Sequence, residues 1–111
     1  MAKAKVLAAP RRGEVWLAEL DKRRPVVVLT RDPLARLLNA VVIAPITSTV
    51  RGISTEVSVG SEVGITKRSV INLDNMQRLD RVALVRRIGA LPQTMFDEVC
   101  EATANVFGCE R

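Results

Sequence analysis

The side chains that most often carry acid–base chemistry are missing from this chain. Its 111 residues include no histidine and no tyrosine. A histidine acid–base pair is therefore impossible, as is any Ser-His-Asp or Cys-His nucleophilic arrangement. The two cysteines, Cys100 and Cys109, form no CxxC pair. Within one chain they cannot complete an all-cysteine tetrahedral zinc site, and histidine-bearing zinc sites are excluded as well. A helix running from one to the other would separate them by roughly 13 Å, beyond disulfide reach. Reduced thiols and a cytoplasmic location are the expectation. With two Phe, one Trp and no Tyr, an aromatic stacking platform of the RRM kind is also excluded.

What remains is cationic and hydroxyl chemistry. Lys and Arg number 17 against 12 Asp and Glu, a net charge of +5. The charges are unevenly spread. Residues 1–12 carry Lys3, Lys5, Arg11 and Arg12 with no acid, residues 13–91 carry twelve basic and eight acidic residues, and residues 92–111 carry one Arg against four acids. Such asymmetry suits a polyanionic partner such as nucleic acid. Lys67-Arg68 and the set Arg78, Arg81, Arg86 and Arg87 could contact phosphates or form solvated faces.

The elements that must position these groups can be read from hydropathy. The length corresponds to one domain, with residues 1–12 as a flexible basic N-terminal arm and residues 13–111 as the folded part. Gly13 to Leu20 is β-prone, and Asp21-Lys22-Arg23-Arg24-Pro25 reads as a charged turn. Pro25 opens Val26-Val27-Val28-Leu29, a continuous β-branched run of the kind buried on both faces. Arg31 to Leu38 is a loop or short helix, and Ala40 to Ile46 is a second apolar run ending at Thr47-Ser48-Thr49. Ile53, Thr55, Val57 and Val59 alternate with polar residues, as in a half-exposed strand. Ser69 to Leu73 and Arg81 to Ile88 are further strands. Pro92 starts a helix of about four turns, with Met95, Phe96, Val99, Cys100, Thr103, Val106 and Phe107 on one face and Gly108 as its stop. Strands followed by one helix, without βαβ alternation, predict a mainly β fold: a small bent antiparallel sheet or barrel covered by a C-terminal helix. No apolar run is long enough to span a membrane, and the patch Val6 to Ala9 is too short for a signal peptide. A mean hydropathy of +0.15 is high for so small a chain and suggests apolar surface reserved for a partner subunit.

Five ordered segments carry a resemblance: Gly13-Glu14-Val15-Trp16, Arg24-Pro25-Val26-Val27-Val28-Leu29, Val42-Ile43-Ala44-Pro45-Ile46-Thr47-Ser48, Ser69-Val70-Ile71-Asn72-Leu73-Asp74-Asn75, and Ile88-Gly89-Ala90-Leu91 ahead of the amphipathic helix. Together, over residues 13–107, they resemble the MazF/PemK family of toxin endoribonucleases from bacterial toxin–antitoxin pairs. The resemblance implies an SH3-like antiparallel barrel that forms a homodimer. It implies metal-independent cleavage of single-stranded RNA at short motifs, with no cofactor. The 2′-hydroxyl attacks the adjacent phosphorus and leaves 2′,3′-cyclic phosphate and 5′-hydroxyl ends. It also implies a cognate antitoxin that blocks the RNA groove with an extended acidic C-terminal segment.

Carried over by position, the family's catalytic arginine falls on Arg24 and its catalytic hydroxyl on Thr47. Ser48, Arg23, Asp74, Gln77 and Arg78 are then the expected substrate contacts. A guanidinium fork suits the charge that builds on phosphoryl oxygens. Arg is a poor base at neutral pH, so proton transfer falls to a hydroxyl, a carboxylate, the phosphate or water. The chain also departs from the family. Only Asp21-Lys22-Arg23 stands between Leu20 and Arg24, where many members carry a longer loop. An acidic base on that loop has no clear counterpart, Glu19 and Asp21 being poor substitutes. Gln77 stands where many relatives carry a basic residue. Two other readings stay open: a non-enzymatic CcdB-like toxin acting on DNA gyrase, and an inactive RNA-binding barrel. The chain end Gly108-Cys109-Glu110-Arg111 lacks the Trp-Gly-containing tail of the gyrase toxins, which favours the nuclease.

Overall fold

A computed structural model of the protein describes residues 9–32 and 34–108, with all of their side chains except that of Arg36. The strands are β1 (Glu14–Glu19), β2 (Arg23–Val28), β3 (Ala40–Thr47), β4 (Glu56–Val59), β5 (Ser69–Asn72), β6 (Gln77–Asp80) and β7 (Leu84–Ala90). A one-turn helix, α1 (Leu34–Leu37), precedes β3, and α2 (Gln93–Phe107) closes the chain. Every pairing is antiparallel. The strand order is β4-β5-β3-β2-β1-β7, with β6 also on β3. β3 is the hub because it is long: β6 pairs with its first half and β5 with its last two residues.

The mainly antiparallel sheet with one C-terminal helix is the expected architecture. The expected barrel is left open, since no ladder joins β4 to β7 among the described residues. Closure there is by packing. A Cβ on Gly89 of β7 would lie 2.4 Å from the carbonyl oxygen of Val63, in the turn after β4, so only glycine allows the two backbones to approach this closely.

Val26, Val27 and Val28 are fully buried, and the alternation of β2 sends them to two different cores. Val27 joins Val15, Ala44 and Ile46 beneath Phe96, Val99 and Ala102 of α2. Val26 and Val28 join Ala18, Val41, Ile43 and Leu84 on the opposite face. The covering stripe of α2 is narrower than its sequence suggests: Cys100 is exposed and Phe107 is 66% exposed. Val106 is the last residue of that face to touch the core, and Phe107 is turned about 100° past it. Gly108, at φ +66°, caps the helix and returns its N–H to the carbonyls of Ala104 and Asn105.

Three local expectations are corrected. β2 begins at Arg23, so Arg24 and Pro25 lie in a strand and not in a turn. Proline is tolerated because residues 23–25 pair only with β1, and the β3 ladder starts at Val26. β4 starts only at Glu56, which leaves 48–55 as a loop. β6 was not expected at all; it forms because Val41 and Leu79 are brought into register. Of the arm expected over 1–12, residues 1–8 lie outside the described residues. Arg12 is tied to the domain, its backbone N–H donating to Asp32 Oδ1 at 3.0 Å and its guanidinium stacked 4.4 Å above the Phe96 ring. Cys109 also lies outside the described residues. Among those described, no helix is long and apolar enough to cross a membrane.

Candidate active site

The β2–β3 register pairs Val28 with Ile43, Val27 with Ala44 and Val26 with Pro45. Continued by two residues, it sets Arg24 across from Thr47, and strand alternation directs both side chains to the same face. That face is the one away from α2, since it also carries Val26 and Ile43. Arg24 and Thr47 line a common cavity of about 740 Å3. Leu20 and Asp21 flank Arg24, and Pro45 and Ile46 lie beside Thr47. The remaining wall comes from Thr49 and Arg51 in the loop after β3, from Asn72 at the end of β5, from Asp74, Asn75 and Met76 in the turn that follows, and from Gln77 at the start of β6.

Asp21 grips Arg24 in a two-point fork, with Arg24 Nε donating to Oδ1 at 2.9 Å and Nη2 to Oδ2 at 3.2 Å. These bonds stabilise the carboxylate and pull the Asp21 pKa from 3.8 down to about 2. The same bonds push the Arg24 pKa further up. Arg24 is therefore a permanent cation, oriented along one edge, with its other N–H groups still available. Thr47 Oγ1 accepts the backbone N–H of Thr49 at 3.1 Å. That bond occupies a lone pair and leaves the hydroxyl proton to be donated elsewhere. Asp74 accepts a hydrogen bond from the Thr55 hydroxyl, and its own N–H donates to Oδ1 of the buried Asn72 at 3.0 Å. Together these groups can bind and polarise an anion. Among the described residues, no group of three or more His, Cys, Asp or Glu could hold a metal ion.

The model of the PemK-like, MazF-like toxins of type II toxin–antitoxin systems matches residues 11–107. The chain belongs to this toxin family. It is 40% identical over 108 residues to the probable endoribonuclease MazF5 of Mycobacterium tuberculosis, covering 94% of this chain and 98% of that protein. The solved structure of the Mycobacterium tuberculosis toxin MazF-mt6 superposes with a TM-score of 0.85 at 40% identity, covering 88% of this chain and 99% of that one. An endoribonuclease from a mycobacterial species, solved in complex with its cognate antitoxin, superposes with a TM-score of 0.84 at 25% identity, covering 93% and 99%.

Of the residues that the family resemblance singles out, Arg24, Thr47, Asp74 and Gln77 share the cavity. The other three do not line it. Ser48 is exposed beside Thr47, at the bend where β3 has ended. Arg23 is exposed and paired with the Glu19 carboxylate. Arg78 is exposed on β6, opposite Val42. Thr49, Arg51, Asn72, Asn75 and Met76 line the cavity without being singled out by the sequence, and so does Asp21, which the sequence offers only as a poor substitute for a base. Asp21 carried a usable signal, an acid three residues before the key arginine. Arg51 carried none, being one arginine in a polar loop.

Proposed function

We propose that this chain is the endoribonuclease toxin of a type II toxin–antitoxin pair and that it cuts single-stranded RNA at short sequence motifs. The observation that carries this reading is the meeting of Arg24 and Thr47 in one cavity, from positions 23 residues apart in sequence. The names of its relatives support it.

In this mechanism the ribose 2′-oxygen attacks the adjacent phosphorus in line with the 5′-oxygen of the next nucleotide. The new P–O2′ bond forms as the P–O5′ bond breaks, leaving a 2′,3′-cyclic phosphate and a 5′-hydroxyl. Negative charge builds on the non-bridging oxygens. The unbonded N–H edge of Arg24 and the Thr47 hydroxyl donate to those oxygens, and fixed donors of this kind stabilise a transition state without having to reorganise. Arg24 is too basic to take the 2′-hydroxyl proton. Asp21, at about 2, is too acidic to be an effective acceptor at neutral pH. That proton passes to water or to a phosphoryl oxygen, and the leaving 5′-oxygen is protonated in turn. Neither metal nor organic cofactor takes part.

The same reading includes a cytoplasmic homodimer and an antitoxin whose extended acidic C-terminal segment covers the groove. The net charge of +5 and the relative solved with its antitoxin support the acidic partner. Exposed apolar side chains such as Val42, Val82 and Val85 support the dimer.

The test is incubation of the purified protein with long single-stranded RNA in EDTA. Fragments with cyclic phosphate and 5′-hydroxyl ends are expected. Intact RNA together with inhibited DNA gyrase would overturn the reading in favour of a gyrase toxin, and bound but uncut RNA in favour of an inactive binding barrel.

A further inference from the structure

The cavity holds a second guanidinium for which the reaction at Arg24 has no use. Arg51 lines it from the loop between β3 and β4. The ion pairs among the described residues are Arg23–Glu19, Arg24–Asp21 and Arg87–Glu14, so Arg51 has no acidic partner there. Its backbone, by contrast, is anchored. The N–H groups of Arg51 and Gly52 both donate to Glu56 Oε1, at 3.0 and 2.9 Å. Gly52 sits at φ +72°, in the left-handed region open to glycine. Successive N–H groups converging on one oxygen form the concave backbone arrangement that binds anions. Here the chain's own carboxylate fills it. Both ends of the loop are tied as well, by the Thr49 N–H on Thr47 Oγ1 and by the Thr55 hydroxyl on Asp74.

An unpaired cation on an anchored loop can meet an anion without the loop first having to be ordered. We propose that Arg51 binds the RNA phosphate neighbouring the one cut at Arg24, so that the cavity grips two successive backbone phosphates. This rests on the nuclease reading above. Glu56 acts on it as a positioning residue, holding the Arg51 backbone while leaving its side-chain charge uncompensated. A phosphate contact carries no base information, so Arg51 contributes grip and register, and the choice of cut site lies with other residues.

The test uses a labelled single-stranded RNA that carries a mapped cut site, with a 2′-deoxy sugar at the attacking position so that it binds uncut. Its dissociation constant is measured across a salt series for the wild type, Arg51→Ala and Arg51→Lys. Arg51→Ala is expected to weaken binding about tenfold and to flatten the slope of log affinity against log salt by about 0.7, the loss of one single-strand phosphate contact. Arg51→Lys keeps the charge and should keep the slope. Cut sites mapped on a mixed RNA pool should be the same for all three proteins. Unchanged affinity and slope in Arg51→Ala would overturn the proposal. So would an Arg51→Lys slope as flat as that of Arg51→Ala, or an altered cut-site map at unchanged slope. Wild-type protein that binds RNA but never cuts it would overturn the nuclease reading instead, and the same salt series, run on an unmodified single-stranded RNA that the protein binds, would still decide whether Arg51 contacts a phosphate.

Discussion

Asp21 and Arg24 meet edge to edge, two nitrogens of the guanidinium facing both oxygens of the carboxylate at 2.9 and 3.2 Å. The acid is the middle residue of the three-residue connection between β1 and β2, and the arginine is the second residue of β2. The Arg24 side chain is 35% exposed and that of Asp21 is 70% exposed, so this pair adds little to stability. Its consequence is geometric: one edge of Arg24 is held by the protein, and on the proposed reading the other edge is the one left to meet RNA.

Replacing Asp21 by Asn keeps the shape and removes the charge. A drop in cleavage rate of about tenfold is expected from the loosened guanidinium. The pH profile separates this positioning role from a role as general base. The pKa of Asp21 is lowered in the folded chain, so the native state binds that proton more weakly than the unfolded state does. The contribution of the pair is complete above the ordinary value of 3.8 and is lost as pH falls through about 2. Cleavage by the wild type and by Asp21→Asn should therefore follow parallel pH profiles between about pH 5 and 8. An acid limb present in the wild type and missing from Asp21→Asn would make Asp21 the base.

Arg24→Ala should lower the single-turnover rate by about 100- to 1000-fold, the usual loss for one transition-state donor. Arg24→Lys should recover little of it, because an ammonium cannot bridge a carboxylate and a phosphate along two edges of a plane. Neither variant removes buried apolar contact, so thermal melts should stay close to that of the wild type. Near-wild-type cleavage by Arg24→Ala would remove the mechanism.

At Thr47 the hydroxyl is tested by size-matched replacement. Thr47→Val should cut about 100-fold more slowly, whereas Thr47→Ser, which keeps the acceptor for the Thr49 N–H and the free proton, should stay within about tenfold of the wild type. Equal rates for Val and Ser would reduce Thr47 to a strand-end residue.

Gly89 tests the packing closure of the sheet. An added Cβ would collide with the backbone of Val63, so Gly89→Ala should destabilise the fold by about 1–3 kcal/mol in a denaturant titration. An unchanged midpoint would mean that β7 and the turn after β4 can separate at no cost.

Much of this architecture could be read along the chain. The β-branched run at 26–28 announced a strand buried on two sides, and the apolar spacing from Met95 to Val106 with Gly108 announced the helix and its end. Each is a local signal, because the side chain and its neighbours within a turn or a pleat determine it. β6 is not legible along the chain because Gln77-Arg78-Leu79-Asp80 has a single apolar residue; its pairing with β3 makes it a strand. The early end of the apolar helix face at Val106 was equally hidden, since it depends on what lies beneath the helix.

The candidate site divides along the same line. Composition alone excluded histidine chemistry, and the ordered motifs put Arg24 and Thr47 forward. That the two share a cavity follows from the β2–β3 register, which forms only when Val26 and Ile43 are buried in one core and Val27 and Ala44 in the other. The loop 48–55 carries Arg51 to that cavity through side-chain bonds to Glu56 and Asp74, and the tight β1–β2 connection brings Asp21 onto the Arg24 edge. Residue types determine which groups are available and which face of an element they occupy. Which of them meet is decided by strand register and loop return, because these depend on buried contacts between segments far apart in the chain.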